Sequence, residues 1–161
     1  MAPQCLMSHG TRFELTEVED ESGYWDRAYL GRTLASLDYD RDGDLDLLVN
    51  HLDEPLALLQ SATRTDGQWM QLEVVGRSCE RDAIGARVIV RTASGNHAHW
   101  VTAGDGYFCS DEPVLDFGLG ADVEVESVEI RWPSGELQVF KSPEANRRYL
   151  IVEGHEELYQ R

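Results

Sequence analysis

The chain has 161 residues, 42% of them hydrophobic, which suits one ordinary domain or a small domain with an attached fragment and excludes global disorder. With 30 Asp and Glu against 14 Lys and Arg, the net charge is −16. Nucleic acids and anionic membranes are therefore excluded as partners, because phosphate is bound by basic side chains, whereas bound cations would relieve the self-repulsion.

No apolar run reaches the length of a membrane span, so no membrane insertion is expected. The first residues, Met1-Ala-Pro-Gln-Cys-Leu-Met7, lack the basic segment and long apolar core of a secretory signal. Residues 1–30 read as the end of a repeat. Gly10 marks a turn, and Phe13, Leu15 and Val18 are apolar positions of a short strand and its exit. Glu19-Asp-Glu-Ser-Gly23 is a polar break, followed by an aromatic patch of Tyr24, Trp25 and Tyr29. Such rings can stack on sugars, but large aromatics more often pack cores, and packing is the preferred reading.

Asp38-Tyr-Asp-Arg-Asp-Gly-Asp-Leu-Asp46 carries five aspartates at alternate positions in nine residues. Packing cannot account for neighbouring carboxylates that repel one another and bury no apolar surface; a hard cation can. Calcium takes about six to eight oxygens, and side chains at positions 1, 3 and 5 of a tight loop converge on one point. Here those positions are Asp38, Asp40 and Asp42, and Gly43 at position 6 supplies the sharp turn. Asp44 at position 7 would offer its backbone carbonyl, and Asp46 at position 9 a carboxylate, directly or through water. The helical version of such a loop ends in Glu at position 12, which here is Val49. The flanks Thr33-Leu-Ala-Ser-Leu37 and Leu45-Asp-Leu-Leu-Val49 suit strands, so a calcium loop between strands is expected. An acidic, solvated turn without an ion is the alternative.

The stretch Gly31–Asn50, with this loop at its centre, resembles an FG-GAP/VCBS repeat, the calcium-bearing blade unit of integrin-type β-propellers. The resemblance implies Asp38, Asp40, Asp42 and Asp46 as side-chain ligands and Asp44 through its backbone. Pro55-Leu-Ala-Leu-Leu59 offers a following strand. A propeller needs about four to eight blades to close, and only one calcium loop stands here. Residues 1–62 are therefore expected to be a repeat fragment, the C-terminal remnant of a larger propeller, burying its face against whatever follows.

Residues 63–67, Thr-Arg-Thr-Asp-Gly, read as a linker. Beyond them strand signals recur at short intervals. Trp69–Val75 alternates, and Ile84, Ala86, Val88 and Val90 share a face. Ser94-Gly95 turns the chain into His97–Thr102. Leu115–Leu119 follows, then Val128, Ile130 and Trp132, the turn Pro133-Ser-Gly135, the return Leu137–Phe140 and the closing run Arg148–Val152. Seven short strands without an amphipathic helix predict an antiparallel sandwich. Arg81–Val88, Gly104-Asp-Gly-Tyr-Phe-Cys-Ser110, Leu115–Gly120 and Val128-Glu-Ile-Arg-Trp-Pro-Ser-Gly135 are similar to motifs of the ASPIC/UnbV domain, and the likeness covers residues 68–153. In that family the domain commonly follows FG-GAP/VCBS repeats in secreted proteins. The resemblance implies placement outside the cell or in the cell envelope, and it carries no catalytic residue. Residues 154–161 read as a C-terminal tail.

Three cysteines, Cys5, Cys79 and Cys109, allow three free thiols or one bridge and a leftover thiol. A bridge between Cys79 and Cys109 across one end of the sandwich is the version considered, and free thiols are preferred. His97 and His99 share a strand face but lack an identifiable third ligand, and zinc needs about three or four. Gly104-Asp-Gly106 has no third glycine or following helix, so a turn is the better account than a phosphate loop. Asp105, Asp111 and Glu112 are read as solvated loop acids, and no nucleophile elbow is present.

These observations predict an all-β chain in which propeller-blade-like calcium-loop strands pack beside an antiparallel β-sandwich. The expected function is a calcium-binding interaction or structural module outside the cell or in its envelope. Its expected partners are calcium, an extracellular protein or glycan met through Tyr24, Trp25 and the loops around Tyr107, and a second copy of the chain through exposed strand edges. The alternative is an enzyme or accessory domain acting on carbohydrate or a secondary metabolite. That alternative requires a deep pocket on which groups such as His99, Asp105 and Asp111 converge.

Overall fold

The computed structural model describes residues 2–18, 20, 22–62, 66–121 and 124–161. The chain is all-β, and among the described residues no helix is long and apolar enough to cross a membrane. Strands β1 (Cys5–Ser8) and β2 (Phe13–Thr16) form an antiparallel hairpin. Its turn passes through Gly10, at φ 78°, a conformation open to glycine. Strands β3 (Gly31–Leu37), β4 (Asp46–His51) and β5 (Ala57–Leu59) make a three-stranded antiparallel sheet in that order, and the acidic loop joins β3 to β4. The expected polar break includes Glu19 and Glu21, and the expected linker includes residues 63–65; these lie outside the described residues.

The remainder builds two four-stranded sheets. One has the order β11 (Leu137–Lys141), β10 (Val125–Arg131), β7 (Arg87–Thr92), β8 (Gly95–Trp100). The other has the order β13 (Leu158–Gln160), β12 (Arg147–Val152), β6 (Gln68–Val75), β9 (Leu115–Gly120). Alternation decides which side chains meet between them. Met70, Leu72 and Val74 of β6, Val88 and Val90 of β7, Phe117 and Leu119 of β9, Val128 and Ile130 of β10 and Ile151 of β12 share one buried core, with Trp132 just beyond β10. Burying each such side chain contributes about 1.5–3 kcal/mol. The turns at Ser94-Gly95 and Pro133-Ser-Gly135 stand where expected, the second closed by Gly135 N–H donating to the Trp132 carbonyl at 2.9 Å.

Three details differ from the sequence reading. The sandwich is not wholly antiparallel, because β12 runs parallel to β6 from Arg147↔Met70 to Val152↔Val75. After β11 the chain crosses to the opposite sheet, so β12 need not form a hairpin with its predecessor, and the whole of β7 to β11 serves as the crossover that a parallel pair requires. Ile84 is 43% exposed and precedes the strand, since Ala83 at φ 51° and Gly85 at φ 91° form a turn there. Leu158–Gln160, in the stretch read as a tail, pairs with β12 as an eighth strand. The three cysteines are free, and Cys79 and Cys109 are not joined: Cys109 Sγ donates to the Leu34 carbonyl at 3.0 Å, and Cys79 Sγ to the Glu80 carbonyl at 3.5 Å.

One buried carboxylate ties the end of β12 to two loops. Glu153, 1% exposed, accepts at Oε2 from the backbone N–H groups of Arg77 (2.7 Å), Ser78 (2.6 Å) and Cys79 (3.0 Å), and at Oε1 from the Ser134 hydroxyl (2.5 Å). Burial alone would raise its pKa, but the bonds from Ser134 and the three backbone groups outweigh burial and bring it from 4.5 to about 2. A carboxyl lowered on folding stabilises fully above its unfolded pKa and loses that contribution as pH falls through the folded one. Glu153→Gln, which presents amide donors to backbone donors, is expected to cost about 3 kcal/mol at pH 7. In urea melts across pH, the gap from wild type should narrow as pH drops from 4.5 toward 2.

Candidate metal centre

The pairing of Leu37 with Asp46 closes β3 and β4 around the acidic loop and brings Asp38 and Asp46 to its base. Both are buried, 5% and 2% exposed, so their charges must be answered by hydrogen bonds. Asp38 accepts from Asp42 N–H (3.2 Å) at Oδ1, and from Gly43 N–H (3.0 Å) and the Gln71 side-chain amide (2.7 Å) at Oδ2. Asp46 accepts from Tyr39 N–H at 2.9 Å and Ser61 N–H at 2.7 Å, one on each oxygen. Asp42 accepts from Asp44 N–H at 2.9 Å, and Asp40 from the Gln60 amide. The chain turns through Arg41 at φ 63° and Gly43 at φ 98°. A Cβ on Gly43 would lie 2.2 Å from the Trp69 indole, so glycine is required both by the backbone and by the ring against it.

Within this frame Asp38, Asp40 and Asp42 each offer a carboxylate oxygen, all within 4.8 Å of one another; Asp38 is buried and the other two are exposed. Among the described residues this is the only such group of three or more acidic, His or Cys side chains. Three hard anionic oxygens at that spacing fit a calcium-type cation. Asp44 has its pKa raised, by burial first and then by Asp42, Asp38, Asp46 and Asp40. Asp46 is not in the group of three; its two oxygens brace the loop against Tyr39 and Ser61. Gln71, Trp69 and Gln60 were not singled out from sequence, since nothing marks an amide or an indole many residues away as a neighbour of the loop.

The other candidates are distributed differently. A cavity of about 560 Å³ is lined by His99, Asp105, Asp111, Glu112 and Asp116 among others. Asp105 accepts from the Thr102 hydroxyl at 2.6 Å and Asp111 from Ser36 N–H at 2.7 Å. His97 and His99 pair with Val90 and Val88 of β7; His97 is half-buried, while His99 is exposed and meets Phe117 edge-on at 4.7 Å. Burial, then His97, lowers the pKa of His99. His97 Nε2 is buried without a hydrogen-bond partner among the described residues. The aromatic patch packs internally: Tyr24 stacks on Tyr29 at 4.6 Å, meets Trp25 edge-on at 6.0 Å and shares a 2.9 Å hydrogen bond with His51. Tyr107 and Phe108, by contrast, are 62% and 79% exposed, with the Arg32 guanidinium over both rings.

The model of the ASPIC and UnbV family matches residues 76–158, just over half of the chain. The chain belongs to the ASPIC and UnbV family. It is also similar to cartilage acidic protein 1: 40% identical over 105 residues to the proteins of Homo sapiens and Mus musculus, and 38% over 108 residues to that of Xenopus tropicalis. These matches cover 62%, 62% and 64% of this chain and 15%, 16% and 16% of the relatives, so the chain spans about a sixth of their length. The ASPIC and UnbV match begins at Gly76, immediately after β6. The acidic loop and the Trp69 and Gln71 side chains that hold it therefore lie outside the matched span.

Two outcomes follow from this geometry. Gly43→Ala should lower the melting temperature by several degrees, equivalent to about 2 kcal/mol, through ring clash and left-handed strain, and Trp69→Ala in the same background should relieve the clash. Asp116 in the ASPIC and UnbV sandwich has its pKa raised to about 6, by burial foremost, with Gln71 and Arg148 opposing and Glu112 and Asp38 reinforcing. A carboxyl raised on folding penalises the native state as pH climbs from its unfolded value, 3.8, through 6. In EDTA, Asp116→Asn should therefore melt higher than wild type at pH 7.5, by about 1–2 kcal/mol after allowance for partial exposure, and equally near pH 3.5.

Proposed function

We propose that the chain is a calcium-binding interaction and structural module that works outside the cell or in its envelope. In this reading residues 1–62 are an FG-GAP/VCBS-type repeat fragment and residues 68–153 the ASPIC and UnbV sandwich, together the C-terminal part of a larger β-propeller protein. The observation that carries it is the meeting of three carboxylates, Asp38, Asp40 and Asp42, within 4.8 Å. Those residues would hold the ion, with Asp44 contributing its backbone carbonyl and Asp46, whose two oxygens already accept from Tyr39 and Ser61, reaching it through water. Calcium supplies charge neutralisation there. This chain's own residues do the rest: Gln71 and the backbone of Asp42 and Gly43 orient Asp38, and Asp46, at the start of β4, pins the loop at Tyr39 to the segment at Ser61. The relatives are named for cartilage and for acidity, and this chain shares the acidity. Those relatives support the extracellular reading, for which affinities of about 10⁻⁴ to 10⁻³ M are usual.

The alternative, an enzyme or accessory domain acting on carbohydrate or a secondary metabolite, requires His99, Asp105 and Asp111 to converge. They line one cavity, but among the described residues they do not form a group of three within 4.8 Å, whereas Asp38, Asp40 and Asp42 do, and the reading rests on that loop.

The test is calcium titration by calorimetry and thermal melting on wild type and Asp40→Ala, an exposed position whose truncation leaves the core intact. Saturable binding with a melting temperature raised by several degrees, both absent in the variant, is expected. No binding heat and an unchanged melt in the wild type would reduce the loop to a solvated turn.

A further inference from the structure

The 560 Å³ cavity lies where Ser36 and Leu45, from the sheet and loop that carry the aspartates, face the sandwich. Its size falls in the range of about 300–1,000 Å³ that accepts a small molecule. Its walls are of two kinds. Leu45, Ile84 and Trp100 bring large apolar side chains that are 43%, 43% and 57% exposed. Six carboxylates, Glu73, Asp82, Asp105, Asp111, Glu112 and Asp116, face a single lining guanidinium, Arg81.

Two of the six are already answered: Arg148 stands 2.6 Å from Glu112 and 3.8 Å from Glu73. Asp82, Asp105, Asp111 and Asp116 have no ion-pair partner among the described residues. Asp105 and Asp111 use only Oδ1 in their bonds to Thr102 and Ser36, which among the described residues leaves Oδ2 of each for a ligand.

This combination selects a ligand class. An anion is repelled. A bare divalent ion needs converging carboxylates, and among the described residues the loop alone provides three. A neutral apolar molecule would strip water from four carboxylates and give nothing back, at a cost of several kcal/mol, on the order of that for burying unpaired polar groups. A positive head on an apolar stem satisfies both walls, since charge-assisted hydrogen bonds take the head and the Trp100 indole, which already carries the Arg87 guanidinium 5.7 Å from its ring centroid, packs against the stem.

We propose that this cavity binds an organic cation, a guanidinium or primary ammonium on an apolar stem, held by Asp105, Asp111 and Asp116 with Trp100 and Ile84 against the stem. Such a group arrives either as a side chain of a basic peptide segment or as a free amine. The cavity draws its carboxylates from the sandwich, so the proposal stands apart from calcium binding at the loop.

The experiment is calorimetric titration of the full chain, with calcium and again in EDTA, using three probes: agmatine, N-acetyl-argininamide and its neutral isostere N-acetyl-citrullinamide. At least one cation should bind saturably while the citrulline compound does not. Asp105→Asn, Asp116→Asn and Trp100→Leu, each checked for a wild-type or higher melting temperature, should weaken that binding about tenfold. Tighter agmatine identifies a free amine and tighter blocked arginine a basic peptide. Equal binding of the citrulline compound, undiminished affinity in folded Asp105→Asn and Asp116→Asn, or no binding of either cation up to about 10 mM would overturn the proposal.

Discussion

The contact on which the rest depends is the 2.7 Å hydrogen bond from the Gln71 amide to Asp38. Asp38 is a carboxylate 5% exposed, in a loop with four more aspartates, and a buried charge without partners is too costly to persist. Its donors come from two places: the loop's own backbone at Asp42 and Gly43, and a strand of the sandwich. The second source makes the loop a tertiary structure. Asp38 is thereby fixed by an amide thirty-three residues away, while Asp40 and Asp42 stay exposed above it.

That donor sits on β6, which is buried from both sides. Met70, Leu72 and Val74 face the sandwich core, while Trp69 and Gln71 on the opposite face cover the loop, with the indole against Gly43. A strand central to its sheet, flanked by β12 and β9, thus carries the sandwich on one face and the three-stranded sheet on the other. The small β3-β4-β5 sheet, which has too few residues to build a core of its own, borrows one. Ser36 and Leu34 extend the contact, meeting Asp111 and Cys109 of the loop after β8.

Features governed by short-range rules were legible in the sequence. The alternation in Trp69–Val75 and Val128–Trp132 is a property of neighbours, and the strands fall there. The turn at Pro133-Ser-Gly135 is likewise local. Within the candidate site, the spacing of Asp38, Asp40 and Asp42 is local too, and the structure brings those three together. What was not legible depends on the third dimension. The parallel register of β12 on β6 follows from the chain changing sheets after β11, which no residue type announces. Gln71 resembles any polar residue between apolar ones until its neighbour is known. Asp46 belongs to the same alternating series as its fellows, yet its two oxygens are drawn to Tyr39 and Ser61, because pairing with Leu37 sets it at the foot of the loop.

The same logic separates the two acidic regions of the molecule. In the loop the carboxylates are brought within 4.8 Å of one another by a turn that leaves no room for a side chain at Gly43, and a compact cation between them would relieve the repulsion of like charges at that distance. In the cavity the acids come from separate segments and are interleaved with Ile84 and Trp100, so repulsion is spread over a larger space that no single small ion can span. The formal charge of −16 is thus not one property with one purpose. Its concentrated part suits a point charge, and its dispersed part, set among apolar side chains, suits a cation with a body.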